Sequence, residues 1–267
     1  MVTRNDVKNA AEALGIKKGD TVLIHSSFKS FGPIENGAED VVGGFFDAIG
    51  EEGTLVFPTL CQKDWPHIYA NWHLDAPSDI GYLTNYFRKL PGARRSDQAT
   101  HSVAAIGKYR DYITETHGHT SERYGIFGNT PFAPDSPWEK MLTLDTKVVL
   151  IGCPITKCTF RHLSEYRFAE KCLKKLEGHE KYEEMKERVW HYDQEGVWFG
   201  VDAGHIEEVL NKRKHIVYKK CGEALIMCFS AKEFVEIGDD CVEEHNRKNA
   251  KERTRVWLND MDELLKQ

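Results

Sequence analysis

Residues 147–167, KVVLIGCPITKCTFRHLSEYR, bring an imidazole, a carboxylate and two thiols together in one short stretch. His162 and Glu165 are three residues apart, a spacing that puts both side chains on one face of a helix. A neutral imidazole can take a proton from a nucleophile, and it needs an acceptor on its other ring nitrogen to hold it in place. Glu165 is the near candidate for that acceptor and Asp193 a remote one; alternatively Glu165 pairs with Arg161 or Arg167 on a solvated face. A metal reading competes, with Cys153, Cys158 and His162 as ligands and His101 or Asp193 as a fourth. The spacing lacks the paired C-x-x-C of structural zinc sites, so no metal is expected. Three more clusters could bind phosphate or amide groups: the turn His25-Ser26-Ser27, the pair Arg95-Ser96 and the pair His101-Ser102. They offer hydroxyls, backbone N–H groups and a cation.

The elements around these residues read as an α/β protein. Residues 147–152 form a β-branched and leucine run closed by glycine, which predicts a buried strand. Thr159 is the expected N-cap of a helix that carries His162 in its first turn, where the positive helix end disfavours an imidazolium. Strands at 21–25 and 53–60 flank a helix at 38–49, a βαβ spacing that predicts a parallel sheet. In such sheets chemistry is done beyond the carboxyl ends of the strands. Helices are expected at 3–14, 79–90 and 108–117, and a third strand at 101–107. Capping boxes at Ser136-Pro137-Trp138-Glu139 and Ser230-Ala231-Lys232-Glu233 predict two helix starts. The aromatic segment 61–78 reads as a lid or wall, and 118–135 as a long functional loop. Beyond residue 167 the pattern changes: 188–202 predicts a hairpin, and 216–229 a strand pair. The expectation is one domain over 1–267, with a central, mostly parallel sheet flanked by helices and a more antiparallel α+β second half.

Composition narrows the class. A net charge of −6 argues against a nucleic-acid partner. No apolar run is long enough to span a membrane and the first residues lack a signal-peptide core, so a cytoplasmic protein is expected. Seven cysteines at scattered spacings predict free thiols. The usual motifs for nucleotide phosphates, dinucleotides, the nucleophile elbow and zinc proteases are all missing from the sequence.

Seven blocks in order, TVLIHSSFKSFG, GTLVFPT, IGYLTNYFRKLPGARRS, THSVAAIG, FGNTPFAPDSPWEKM, KVVLIG and CTFRHLSEYR, resemble the aminoglycoside 3-N-acetyltransferase family. The resemblance runs from about residue 19 to 167 and continues more weakly to about 238. It implies a fold distinct from the GNAT acetyltransferases and an acetyl-CoA-dependent transfer to a primary amine, the chemistry of antibiotic resistance. It further implies that His162, followed by Glu165, deprotonates the amine. An acidic residue about thirty positions on would orient it, which favours Asp193 over Glu165 and leaves Asp202 open. The cofactor side would use His25, Ser26, Ser27, Arg95, Ser96, His101, Ser102, Val103, Gly128 and Thr130, all within 1–167. The acceptor side would fall in 168–267, with Asp64 and Asp75 as contacts to a cationic substrate. The acceptor would be the 3-amino group of a deoxystreptamine or, as the alternative, a non-antibiotic amino sugar or biosynthetic amine. One departure stands out: Asp97-Gln98-Ala99 occupies the place where the family has a proline.

Overall fold

Aliphatic runs that alternate across a sheet need helices on both faces, and this chain supplies them. The computed structural model describes residues 1–64, 67–190 and 196–266. Its strands are β1 (Thr21–Ser26), β2 (Thr54–Pro58), β3 (Arg94–Arg95), β4 (Val103–Gly107), β5 (Lys147–Ile151), β6 (Val217–Cys221) and β7 (Ala224–Ser230). They form one seven-stranded sheet in the order β3-β4-β2-β1-β5-β7-β6. Its centre is parallel, β1 pairing with β2 and β5. The flanking pairs β2/β4, β3/β4, β5/β7 and β6/β7 are antiparallel.

The helices are α1 (Arg4–Ala13), α2 (Ala38–Ile49), α3 (Ile68–Asn71), α4 (Tyr82–Phe87), α5 (Arg110–Thr114), α6 (Pro137–Thr143), α7 (Arg161–Lys174), α8 (Tyr182–Trp190), α9 (Ala203–Arg213), α10 (Ala231–Asn249) and α11 (Glu252–Leu264). Alternation along the central strands divides the core. Val22, Ile24, Phe57 and Val149 face a cluster with Val7 of α1 and Phe45 of α2. Leu23, Val56, Val148 and Leu150 face the opposite cluster, with Trp138, Leu163, Tyr166 and Phe234. Each fully buried large side chain stabilises the fold by about 1.5–3 kcal/mol. No helix among the described residues is long and apolar enough to cross a membrane.

Several expectations shift. The helices foreseen at 79–90 and 108–117 shorten to α4 and α5. The third strand, β4, starts at Val103 and runs antiparallel to β2. Of the hairpin foreseen at 188–202, residues 188–190 belong to α8, residues 196–202 contain no strand, and residues 191–195 lie outside the described residues. The Met185 and Val189 side chains are four residues apart and both buried with Trp257, so the helical period wins there. Ser136 begins α6 with Pro137 at its first position, but its hydroxyl makes no cap bond. Glu139 turns away to bind Arg123 and Arg167, so the expected box is replaced by an ion-pair cluster. Ser230 does cap α10, whereas Glu233 serves Arg213 and His215.

Candidate active site

The carboxyl ends of β1, β2 and β5 meet at one edge of the sheet. Ser26 lies opposite Ile151 at the end of that register. Gly152 follows with φ +59°, and a Cβ there would lie 2.0 Å from Ser30 Oγ. Glycine is therefore required for β5 to turn away against the 27–30 turn. The chain then passes through a 3-10 turn, Ile155–Lys157, into α7. At this edge opens a cavity of about 630 Å³ whose wall includes His25, Ser26, Gln62, Thr159, Arg161 and His162.

His162 occupies the first turn of α7 with its ring nearly buried. Its Nδ1 lies 2.6 Å from Glu165 Oε2, and the two side chains are 9% and 6% exposed. Glu165 as carboxylate can only accept, so Nδ1 carries the proton and Nε2 keeps its lone pair. Aromatic rings enclose the imidazole: Phe127 meets it edge-on at 5.0 Å, Phe132 lies at 5.8 Å and Trp198 at 6.5 Å. Helix α7 is pinned along its length. Arg167 binds Glu139 and Asp239, Ser164 Oγ donates to Val235 O, and Tyr166 Oη accepts from Phe127 N. His162 therefore rests on a rigid element whose far side is held by α6, α10 and the 118–135 loop.

His101 stands beside it, with ring centroids 5.6 Å apart. Thr100 Oγ1 donates to Gln98 Oε1, which leaves it to accept from His101 Nδ1, and His101 Nε2 then accepts from Gln62 Nε2. Burial, with the nearby His162 and His117 adding to it, pushes the His101 imidazole well below its ordinary pKa. It is a neutral ring held by its neighbours. Burial alone pushes His25 down to about 4, and its Nε2 is buried without a partner among the described residues. An orphaned polar atom in a cavity wall is costly unless something in the cavity meets it.

The predicted residues separate into three groups. His25, Ser26, Ser27 and His162 share the cavity. Gly128 and Thr130 line a second groove of about 470 Å³, with Tyr69, Gln98 and His119. Arg95, Ser96, Ser102 and Val103 are internal. Arg95 spends its guanidinium on Thr59 Oγ1, Ser102 Oγ, Cys61 Sγ and the carbonyls of Thr59, Leu74 and Ala76. Ser96 Oγ accepts from Val103 N and bonds His117 Nδ1. His117 is 1% exposed and is held between Ser96 Oγ and Pro131 O. Asp64 is exposed and bound to His67 and Asn71, and Asp75 lines a separate groove beside Arg88 and Arg94. Asp193 lies outside the described residues. Asp202 caps α9 through His205 N.

The N-cap expectation for Thr159 fails. Phe160 holds the cap position of α7 without a side-chain bond, and Thr159 O accepts from His162 N. The Thr159 hydroxyl is thereby left for the cavity. Ser27 N is not available there, since it donates to Ile151 O. Gln62, Phe127 and Trp198 were not foreseen; they come from segments with no period or motif to mark them. Burial pushes the Cys153 thiol up to about 11 and Cys158 up to about 12, so neither is a ready thiolate. Among the described residues no three His, Cys, Asp or Glu side chains converge to hold a metal.

Comparison with known proteins gives the family. The aminoglycoside 3-N-acetyltransferase family model matches residues 23–243. The prophage-derived aminoglycoside N(3')-acetyltransferase-like protein YokD of Bacillus subtilis is 27% identical over 276 residues, covering 93% of this chain and 95% of that protein. Aminoglycoside N(3)-acetyltransferase III of Salmonella sp is 29% identical over 184 residues, covering 62% of this chain and 60% of that enzyme. The crystal structure of YokD superposes with a TM-score of 0.64 at 22% identity, covering 90% of this chain and 98% of that one. AAC-IIIb, solved as a binary complex with CoASH, superposes with a TM-score of 0.68 at 18% identity, covering 91% and 97%. These last two likenesses establish the fold. The family's enzymes are acetyltransferases that draw on acetyl-CoA. With the sheet edge, the histidine-bearing helix and the matched length taken together, the chain belongs to the aminoglycoside 3-N-acetyltransferase family.

Proposed function

We propose that this protein transfers an acetyl group from acetyl-CoA to a primary amine, with His162 as the general base and Glu165 as its positioning residue. The observation that carries the reading is the buried Nδ1···Oε2 contact of 2.6 Å, which leaves Nε2 as the free basic nitrogen beside the cavity. An alkylammonium is no nucleophile, so the proton must leave before nitrogen attacks the thioester carbon. That first proton goes to solvent; His162 Nε2 then takes a second proton from nitrogen as the C–N bond forms, and passes it to sulfur as the C–S bond breaks, releasing the neutral amide and the CoA thiol. The developing oxyanion needs donors already in place. Thr159 Oγ1, uncommitted and open to the cavity, and His25 are the groups nearest to that role. The raised pKa of Cys153 favours direct transfer over an acyl-cysteine, because a neutral thiol is a poor nucleophile.

The names of the relatives make the 3-amino group of a deoxystreptamine the first acceptor to try. A non-antibiotic amine is the second reading, and one observation favours it. Among the described residues the wall of the cavity holds Lys157 and Arg161 and no carboxylate, which is poor company for a polycation. Thiol release from acetyl-CoA with a panel of amines, including deoxystreptamine antibiotics and simple amino sugars, tests the reaction. Turnover with at least one amine is expected; thiol release that no amine accelerates would exclude it.

A further inference from the structure

The cations in the cavity wall have no function in proton transfer, and their side chains have no partner among the described residues. Arg161 is half-buried in the first turn of α7, yet its guanidinium makes no hydrogen bond or ion pair among the described residues. Its neighbours behave otherwise: Arg123 and Arg167 are bound to Glu139, and Arg95 to three carbonyls. Lys157, four residues earlier, lines the same wall and is likewise unpaired. The charge on Arg161 is felt inside the site, where it helps to depress the His101 imidazole. Two further features favour an anion. The 14-residue α7 directs the positive end of its dipole at this wall, and His25, 7% exposed, lines the same cavity.

We propose that Arg161 and Lys157 form an anion subsite beside the base and select an acceptor amine that also carries a phosphate or carboxylate. The inference rests on the acyl-transfer reading and names its substrate class. Position assigns the anion to the acceptor. Arg161 adjoins His162 in sequence and in the cavity wall, at the reacting end, whereas the whole pantetheine arm separates the phosphates of acetyl-CoA from its thioester. A guanidinium is suited to the task because its planar donors match two oxygens of a phosphate or carboxylate at once.

The test uses the full chain, acetyl-CoA and a matched pair of acceptors, glucosamine and glucosamine 6-phosphate, with a deoxystreptamine antibiotic as the polycation. The phosphorylated sugar should be preferred in kcat/KM by about tenfold, the size expected for one charge-assisted contact. Arg161→Gln should bring the ratio close to one and Arg161→Lys should restore part of it, with KM for acetyl-CoA within about twofold throughout. No preference, a preference for the polycation, or one that survives Arg161→Gln would overturn the subsite. So would a tenfold rise in KM for acetyl-CoA, which would give the cations to the donor's phosphates. If no amine in the panel is acetylated, the acyl-transfer reading fails separately, and titration of methyl phosphate followed by phosphorus NMR still decides the subsite. Binding to the native chain that Arg161→Gln abolishes supports it; equal binding, or none, overturns it.

Discussion

Replacing Glu165 by glutamine changes one oxygen for an NH₂ group and leaves shape and volume nearly intact. The native contact is 2.6 Å between side chains that are 9% and 6% exposed, so water cannot substitute for the carboxylate. A hydrogen bond to a charged group contributes about 1.5–3 kcal/mol, and the amide can also turn its NH₂ toward the ring and favour the wrong tautomer. Losing that much transition-state alignment corresponds to a fall in kcat of about 10- to 10²-fold. Because Glu165 is not part of the cavity wall, KM for acetyl-CoA should stay within about twofold. Glu165→Asp, which keeps the charge and shortens the reach, should recover part of the rate. The assay is thiol release from acetyl-CoA under saturating acceptor, with unfolding curves for each variant. A fall of less than about threefold for Glu165→Gln, in a stable protein, would refute the positioning role.

Other expectations follow from the same geometry. Thr159→Val should change stability by less than about 0.5 kcal/mol in urea, because the hydroxyl caps nothing, whereas a working cap would cost about 1 kcal/mol; its kcat should fall if the hydroxyl serves the oxyanion. Arg95→Lys should cost about 2–4 kcal/mol of stability, since an ammonium cannot replace a guanidinium bound at six acceptors; an unchanged unfolding midpoint would contradict the strut. His25 titrates at about 4 in the fold against an ordinary value of 6.5, so the unfolded chain binds the extra proton between those limits. Stability is then fully present above about pH 6.5 and falls by about 3 kcal/mol as pH drops toward 4. His25→Asn should flatten that part of the curve, and an unchanged slope in urea unfolding would count against the buried neutral ring.

The parallel centre of the sheet was legible because β1, β2 and β5 carry unbroken aliphatic runs ended by polar residues or glycine. So was helix α7, where the i, i+3 spacing of His162 and Glu165 made their contact one of the open readings. The remote acid suggested by the family pattern, Asp193, could not be placed by spacing, and it lies outside the described residues. Arg95, Ser96 and Ser102 looked like ligand groups because sequence records donors and not their direction; the structure turns them inward, where carbonyls and hydroxyls satisfy them. The first strand foreseen from residue 188 gives way to helix because aromatic alternation is ambiguous over so few residues, and the packing of Met185 and Val189 on Trp257 decides for helix up to Trp190. Gln62 and Phe127 reach the site from irregular segments, whose placement depends on tertiary contacts that no local pattern encodes.

The central claim is that His162 Nε2 removes the proton from the acceptor amine. Its most direct test is acceptor-dependent thiol release by His162→Asn, measured beside the affinity of the same variant for acetyl-CoA. The account predicts a fall in kcat of about 10²–10⁴-fold with the affinity unchanged. Turnover within a few-fold of the native enzyme would contradict it.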